Sequence, residues 1–523
     1  MRSFTTCLLL LVFFAAPGSR ARAQNSGPAG QPHQSAASGA TATGATKEEV
    51  DQLRQEVAAQ RQTIEQLKSM VQQLLETRSQ APAAESPQLV NATLVPVAPA
   101  QAMTSEKPAE KKEGGPTAGW NGDHFYIKSS DGQFQIQPIG YAQADYRAYS
   151  GDGAPADTFV IRRARFGFQG SYGKYYDWNI LIDAAASNGL SLRDLYLAIK
   201  PYPEFVAQVG QFKEPFAQEL MQAVTNIDFV ERSLASLLYP SAATAFRSPG
   251  AVARGDIYDG RVQYWVGAFN GKGILTNNFT NQPEVITRLR FYPWKKKKDS
   301  LFQGFAFGGA FAYGRTRGLS SETSFTATNP DSAFTFFPSF RINGPTQRYN
   351  GEFTWVHGPW AIRGEYDQLN QHREGVGSEA SGGLGFNDLP TIVAKAGYIQ
   401  GTYLLTGETR PENAPPKVKH PLFGPETPGG TGPVSWGAWE VAFRYDKIQA
   451  KEPGVDQLTA FTPALVPTFA NHTQAFTFGL NWYPNYWTRY MLDFGIDQLQ
   501  QPSTIGALPQ NYFVVLQRLQ FRF

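Results

Sequence analysis

The final segment of the chain, from Tyr512 to Phe523, constrains the fold more than any other feature of the sequence. Apolar and polar side chains alternate through it as far as the last residue, which is aromatic. One face would hold Phe513, Val515, Gln517, Leu519, Phe521 and Phe523, and the other Arg518, Gln520 and Arg522. Strands of transmembrane β-barrels have this pattern, because one face meets lipid and the other meets a polar lumen. The segment therefore predicts a membrane-spanning strand, with the edge strand of a soluble sandwich as the alternative.

The composition favours strands over membrane helices. Aromatic residues make up 13% of the 523 residues, Gly occurs 50 times, and the mean hydropathy is only −0.35. After the first residues, the sequence contains no apolar run long enough for a spanning helix. The formal net charge of +3 gives no case for a nucleic-acid partner, which normally requires a concentrated basic face.

The terminal pattern is repeated along the chain from Trp120 onward. Segments of roughly eight to twelve residues alternate apolar and polar side chains between turns rich in Gly, Pro, Asn and Asp. In one of them, Trp178, Ile180 and Ile182 share a face opposite Asp177 and Asp183. We therefore predict an all-β, antiparallel transmembrane barrel of about sixteen strands over residues 120–523.

The residues before the barrel divide into four segments. Residues 1–23 predict a secretory signal peptide that would be removed with Cys7, the only cysteine in the sequence. Residues 24–46 predict a disordered lead-in, residues 47–78 a coiled coil, and residues 79–119 a Pro- and Ala-rich linker.

The coiled-coil prediction rests on a heptad pattern. Position a is occupied by Val50, Val57, Ile64 and Val71, and position d by Leu53, Gln60, Leu67 and Leu74. The pattern predicts self-association in the periplasm, with a single amphipathic helix packed on a domain as the alternative.

Several motifs together resemble the phosphate-selective porin O and P family. They include Arg162–Phe168 (RRARFGF), Val209–Phe216 (VGQFKEPF), Phe229–Leu234 (FVERSL) and Gly401–Glu408 (GTYLLTGE). The resemblance implies a sixteen-stranded barrel in the outer membrane, assembly into trimers, and passage of small anions such as phosphate. Its expected partners are therefore outer-membrane lipid, small anions and two further copies of the chain.

Six basic residues are the candidates for lining the pore. Alternation directs Arg163 and Arg165 to the lumen, opposite Phe166 and Phe168, and it directs Arg288 and Arg290 inward in the same way. Fixed cations in a narrow passage replace the hydration of an anion, and the planar guanidinium suits phosphate oxygens. Lys213 and Arg232 complete the set.

An alternative role for these arginines is to pair with acidic residues across the lumen. Alternation also directs nine carboxylates inward, namely Asp177, Asp183, Asp194, Glu352, Glu365, Asp367, Glu440, Asp446 and Asp493. We therefore expect a lumen of mixed charge, in which pairing and transport are equally plausible roles for the arginines.

Three irregular segments complete the analysis. The segment Glu214–Pro240 is too long for a turn, and it is expected either to fold inward and constrict the pore through Lys213 and Arg232 or to pack outward on a neighbouring subunit. The segment Glu408–Pro433 predicts a long external loop with a cationic cluster of Lys417, Lys419 and His420. The lysine run Lys295–Lys298 predicts a solvated turn between strands.

The function predicted from these features is passive diffusion of small anions, with phosphate or polyphosphate as candidates, through a water-filled outer-membrane channel. The alternatives are a weakly selective general porin and a structural barrel that tethers the envelope through a contact between the coiled coil and the cell wall. The six histidines are scattered, and the sequence has neither HExxH nor GxSxG, so we predict no enzyme activity, metal or cofactor.

Overall fold

A computed structural model describes most of the chain after residue 114. The described ranges are 115–120, 124–151, 154–186, 189–239, 246–278, 280–317, 342–375, 388–422, 436–451, 471–500 and 511–523. The predictions of a signal peptide, lead-in, coiled coil and most of the linker lie outside these ranges.

Within the described residues the chain forms eighteen β-strands and two short helical turns. The strands are β1 (Thr117–Trp120), β2 (Phe125–Lys128), β3 (Phe134–Ser150), β4 (Thr158–Tyr172), β5 (Tyr176–Asp183), β6 (Ser191–Tyr202), β7 (Phe205–Lys213), β8 (Arg247–Ile257), β9 (Val262–Phe269), β10 (Glu284–Phe291), β11 (Gly304–Thr316), β12 (Gly344–His357), β13 (Trp360–Arg373), β14 (Leu389–Leu404), β15 (Ala438–Lys451), β16 (Asn471–Tyr483), β17 (Thr488–Gln500) and β18 (Asn511–Arg522). The helical turns are the α-helix α1 (Gln218–Met221) and a 3₁₀ helix (Leu234–Leu238).

Strands β3 to β18 form a closed antiparallel barrel. Each strand pairs with the next along the chain, and β18 pairs with β3 so that Arg518 lies opposite Asp145 and Arg522 opposite Tyr141. The hairpin of β1 and β2 continues along the same edge of β3. The sixteen strands of the closed ring confirm the predicted fold.

The two faces of the wall follow the alternation in the sequence. On β18, Phe513 and Leu519 are exposed on the outside, whereas Arg518 and Gln520 are buried in the lumen. On β4, Phe166 is exposed and Arg165 is buried. An apolar exterior with a polar interior is the arrangement of a lipid-facing barrel and the reverse of a soluble one.

The two ends of the barrel differ in their connections. At one end, which we call the turn end, strands are joined by short turns such as residues 173–175, 203–204 and 358–359, and β18 finishes there. At the other end, the loop end, most connections are longer, including residues 214–246 between β7 and β8. In outer-membrane barrels short turns face the periplasm and long loops face the exterior.

One long connection departs from this rule. Residues 405–437 join β14 to β15 at the turn end, where Arg410 N donates to Gly358 O at 2.7 Å. The prediction of an external loop over Glu408–Pro433 is therefore wrong for the described residues 408–422. It failed because the end of the barrel at which a connection lies is set by the number of strands before it, and this connection is long although it lies at the turn end. The cations Lys417 and Lys419 lie at the turn end as well, and Lys419 Nζ donates to Gly407 O at 2.8 Å.

Much of the apolar packing inside the barrel lies where the described residues of the connection 214–246 contact the wall. One cluster joins Phe216 and Leu220 to Phe269 and Ile286. A second joins Leu234 and Leu238 of the 3₁₀ helix to residues of β13, β14 and β15.

No helix in the described part of the chain is both long enough and apolar enough to cross a bilayer.

Candidate functional site

The connection between β7 and β8, described over residues 214–239 and at 246, folds into the lumen; we call it the inner loop. It reaches the far wall, where Val230 N donates to Asp493 Oδ2 of β17 at 2.6 Å. Its residues Phe229, Val230 and Ser233 are buried. Of the two alternatives for this segment, the inward fold is present in the structure and the outward one is not.

Apolar anchors explain why the inner loop enters the barrel. Phe216, which precedes α1, and Leu220 of α1 pack against the wall, and Leu234 and Leu238 of the 3₁₀ helix do the same. Each such burial contributes about 1.5–3 kcal/mol relative to exposure in a water-filled lumen. The amide of Gln218 fixes α1 by donating to Phe353 O at 3.0 Å and Gly364 O at 3.1 Å.

The carboxylate of Glu231 anchors the tip of the inner loop to arginines on the wall. Arg162 Nε lies 2.7 Å from it, Arg518 Nη2 lies 3.4 Å away, and Arg147 is also paired with it. Arg163 Nη2 is more distant, at 3.9 Å. Burial alone would raise the pKa of Glu231, but the arginines outweigh it and hold the pKa well below its usual value.

A β-bulge on β4 brings two successive arginines to this anchor. Gln143 of β3 pairs with Arg163, and the next residue, Ala144, pairs with Ile161, so Arg162 is the extra residue of the bulge. Ile161 remains exposed on the outside, whereas Arg162 and Arg163 both point toward Glu231. Alternation alone directs only Arg163 inward, and the sequence therefore gave no signal for Arg162.

A second anchor involves Asp228 of the inner loop. Its carboxylate pairs with Arg363 Nη1 of β13 at 2.5 Å and with Arg410, and it accepts from Gln400 Nε2 at 2.7 Å. Burial again opposes ionisation, but Arg363, Arg410 and Arg489 outweigh it and lower the pKa of Asp228. The anchor joins the inner loop to residues 405–422, which we call the turn-end insert.

The turn-end insert makes further contacts with the inner loop and with the barrel wall. Asn226 Nδ2 donates to Asn413 O at 2.6 Å, and Arg290 Nη2 of β10 lies 2.7 Å from Glu412 Oε1. Arg410 Nε also lies 2.7 Å from Glu440 Oε1 of β15. The two segments enter from opposite ends and occupy the side of the lumen next to β10–β18.

A cavity of about 430 Å³ remains between the inner loop and the opposite wall, formed by β3–β9. We call it the basic cavity. Its polar lining includes Tyr141, Arg165, Asp194, Lys213, Arg247 and Arg254.

Two of the arginines in the basic cavity are neutralised by aspartates. Arg165 Nε lies 2.8 Å from Asp183 Oδ2, and Arg165 Nη1 also donates to the hydroxyl of Tyr141 at 2.6 Å. Arg247 forms a bidentate pair with Asp194, with distances of 2.9 and 2.8 Å. These pairs fix the guanidinium groups in position. Asp183 is shared with a second arginine, because Arg193 Nε lies 3.3 Å from Asp183 Oδ2.

The other two cations of the basic cavity have no acidic partner. Lys213 Nζ donates to the backbone oxygen of Gln222 at 2.7 Å, and Arg254 Nε donates to Gln208 Oε1 at 3.4 Å. No carboxylate within the part of the chain that the structure describes lies within 4.0 Å of either group. Arg254, and Lys213 in its protonated form, therefore supply positive charge to the cavity.

The six predicted site residues fall into separate groups. Arg165 and Lys213 line the basic cavity, and Arg163 lies beneath the inner loop, where it donates to Gln143 Oε1 at 2.8 Å. Arg232 lies within the inner loop and donates to the backbone oxygen of Gln222 at 3.0 Å.

The remaining pair, Arg288 and Arg290, lies on the occupied side of the lumen. Arg288 pairs with Glu352 of β12 at 2.5 Å and stacks 4.8 Å from the centre of the Trp265 ring. Arg290 pairs with Glu412. The six residues thus form no single ladder, and binding of an anion by any of them stays a prediction.

The inward direction of the acidic residues agrees with the alternation. Eight of the nine carboxylates are buried, namely Asp183, Asp194, Glu352, Glu365, Asp367, Glu440, Asp446 and Asp493. Asp177 is half-buried and pairs with Lys200 at 2.6 Å. The lumen therefore has the mixed charge that the sequence predicts.

Comparison with known proteins gives one family match and one curated relative. Residues 136–523 match the family model described as phosphate-selective porin O and P. Porin O of Pseudomonas aeruginosa is 24% identical over 379 residues, which cover 69% of this chain and 82% of that protein.

Two solved structures are given as examples of the matches to known structures. OmpT of Vibrio cholerae is 9% identical with a TM-score of 0.46, and the match covers 75% of this chain and 98% of that one. The outer-membrane channel DcaP of Acinetobacter baumannii is 13% identical with a TM-score of 0.45, and the match covers 76% and 99% of the two chains.

Proposed function

This chain belongs to the phosphate-selective porin O and P family, and we propose that its basic cavity is the route by which small anions cross the outer membrane. Family membership makes the chain an outer-membrane channel protein and not an enzyme. The anion preference, the solute and the route through the lumen are the parts that we propose.

The observation that carries the proposal is the pair of cations without acidic partners. Lys213 projects from the end of β7 and Arg254 from β8, and both border the basic cavity. An anion that enters a narrow passage loses part of its hydration, and fixed cations compensate for that loss. Charges act more strongly in such a passage than in bulk water, because the effective dielectric constant is lower.

Phosphate is the candidate solute. Arg165 and Arg247 border the same cavity with their guanidinium planes held by Asp183 and Asp194. Planar N–H donors in fixed positions suit the oxygens of phosphate, and Lys213 adds a point charge. The name of the family agrees with this choice of solute.

A weakly selective general porin is the second candidate. It is favoured by two ion pairs, Arg288 with Glu352 and Arg290 with Glu412. In these pairs the carboxylates neutralise the positive charge of two arginines that were predicted to face the lumen. In this case Lys213 and Arg254 would bias the current toward anions without binding phosphate.

A phosphate titration separates the two candidates. Chloride current through purified protein in a planar bilayer is measured while phosphate is added at constant ionic strength. A phosphate-selective channel loses current in a saturable way, and the double substitution Lys213→Gln with Arg254→Gln removes most of that block. The matched control is Lys128→Gln with Lys174→Gln, which removes the same charge near the turn end from residues that do not line the basic cavity. Absence of saturable block in the unsubstituted protein would leave the general porin.

We further propose that the chain forms a homotrimer. Support comes from the family resemblance and from an apolar groove on the outer wall of β6–β10, lined by Leu197, Ile199, Val209, Val266 and Val285. Small side chains such as Ala207 and Ala251 border the same groove and would permit close approach of a second barrel. The mass of the detergent-solubilised protein, corrected for bound detergent, tests the number of copies.

The amino-terminal segment remains part of the proposal. We propose that residues 47–78 form a coiled coil in the periplasm and contact the cell wall, because the hairpin β1–β2 leads into the barrel at the turn end. Pull-down of purified peptidoglycan by the full chain, compared with a chain lacking residues 47–78, tests this contact. Equal recovery of the two chains would contradict it.

A further inference from the structure

An aromatic cluster lies on the outside of the barrel at the turn end, around the connection between β10 and β11. The Trp294 ring lies 5.5 Å from that of Phe302 and 5.8 Å from that of Phe305. Phe305 in turn lies 6.2 Å from Phe307, which is exposed on the outer wall. The cluster therefore continues the lipid-facing surface of the barrel down to its rim.

The apolar residues of this connection remain exposed. Leu301 is 51% exposed and Phe302 is 48% exposed, although Trp355 Nε1 donates to Leu301 O at 2.9 Å and so fixes the backbone beneath them. Aromatic side chains concentrate in outer-membrane barrels at the boundary between hydrocarbon and headgroups. The position of the cluster therefore places the connection at the level of the lipid headgroups.

A dense group of cations adjoins the aromatic cluster. The connections 258–261 and 292–303 contain five cations, Arg261 and Lys295–Lys298, and only two carboxylates, Asp259 and Asp299. Lys296 pairs with Asp259, and Lys295 Nζ donates to Gly260 O at 2.9 Å. Lys297 and Lys298 are exposed, and among the residues that the structure describes neither has a carboxylate partner.

We propose that this surface, which we call the lysine rim, binds the headgroups of anionic phospholipids in the periplasmic leaflet. The lysines would contact the phosphodiester, and Trp294, Leu301 and Phe302 would contact the upper part of the acyl chains. The charge is opposite to that of the lipid, and the surface is continuous with the wall that lipid already covers. The lysine run lies in an exposed turn between strands, as the sequence predicts, and this turn would also contact lipid. This proposal does not depend on the solute that the channel passes.

Retention of phosphatidylglycerol relative to phosphatidylcholine tests the lysine rim. The full chain is reconstituted in mixed bilayers with spin-labelled lipids, and the relative association constant of the motionally restricted lipid is measured. The variant is Lys297→Gln with Lys298→Gln, and the control is Lys128→Gln with Lys174→Gln at the same end of another part of the wall. Heat-modifiable mobility on SDS gels verifies that each variant is folded.

The lysine-rim variant is expected to lower the preference for phosphatidylglycerol by roughly five-fold for each lysine removed at the occupied sites. The control is expected to retain the preference. An equal loss of the phosphatidylglycerol preference in both variants would show a general effect of charge and would overturn the proposal. An unchanged preference in both variants would overturn it as well. Inorganic phosphate and chloride at equal ionic strength should weaken retention equally; a stronger effect of phosphate would identify the free ion as the ligand and contradict the lipid assignment.

Discussion

Substitution of Glu231 by Gln tests how the inner loop is held across the lumen. The side chain of Glu231 is buried, and four arginines lie within 4.0 Å of its carboxylate. Glutamine retains the volume of the side chain but leaves buried cations without their counterion. Removal of one partner from a buried ion pair typically costs about 3–5 kcal/mol. The equilibrium between the docked and released loop should therefore shift by a factor of roughly 100 or more toward release.

Two measurements report on this release. Hydrogen exchange of the backbone amides in residues 226–234 should become faster in Glu231→Gln, and single-channel recordings should show larger conductance with more frequent fluctuations. The control is Glu204→Gln, which removes the same charge from an exposed turn at the turn end. Exchange rates and conductance equal to those of the unsubstituted protein would refute the anchoring role of Glu231.

The pH dependence gives an independent check on the same anchor. The pKa of Glu231 is lowered from its ordinary value of 4.5, so its ionisation stabilises the docked loop at and above that pH. This stabilisation is lost as the pH falls below 4.5 and through the lowered pKa of the folded state. The unsubstituted channel should therefore lose its docked state in acid, and Glu231→Gln should lack this component of the transition. Single-channel recordings over a pH series measure both.

Three further predictions concern the second anchor, the bulge and the lipid face. Arg410→Gln removes the contacts with Asp228 and Glu440, and the loss of these buried ion pairs should destabilise the docked turn-end insert by about 3–5 kcal/mol. Hydrogen exchange of residues 405–422 should therefore become faster. Unchanged exchange would contradict the link between the turn-end insert and the inner loop. In a double-mutant cycle of Arg162→Gln and Glu231→Gln, the coupling should lie at about 0.5–3 kcal/mol, because the bulge places the two side chains in contact; additive effects would argue against that contact. Phe478→Arg on the outer face of β16 should lower the free energy of unfolding in lipid vesicles by about 2–4 kcal/mol, and a change near zero would contradict lipid exposure of this face.

The features that follow local alternation could be predicted from the sequence. Phe166 faces outward and Arg165 inward because side chains of a regular strand alternate, and the same rule gives the inward direction of Arg288 and Glu352. The approximate number of strands followed from the length of the chain and from the resemblance to the porin family. These predictions needed no knowledge of which strands are neighbours.

The features that depend on distant contacts could not be predicted. The partners of Asp228 come from β13, β14 and the turn-end insert, at separations of more than 100 residues. Arg162 enters the lumen through a bulge whose position is fixed by pairing with β3. The end of the barrel at which residues 405–422 lie depends on an exact count of the strands that precede them.

The zero-current potential of the purified protein under a tenfold KCl gradient tests the central claim most directly. Lys213 and Arg254 carry positive charge into the basic cavity without acidic partners in the described residues. We expect a zero-current potential whose sign shows that chloride crosses more easily than potassium. This potential should fall toward zero in Lys213→Gln with Arg254→Gln and should be retained in Lys128→Gln with Lys174→Gln. A potential near zero, or of the sign given by potassium flow, in the unsubstituted protein would contradict the account.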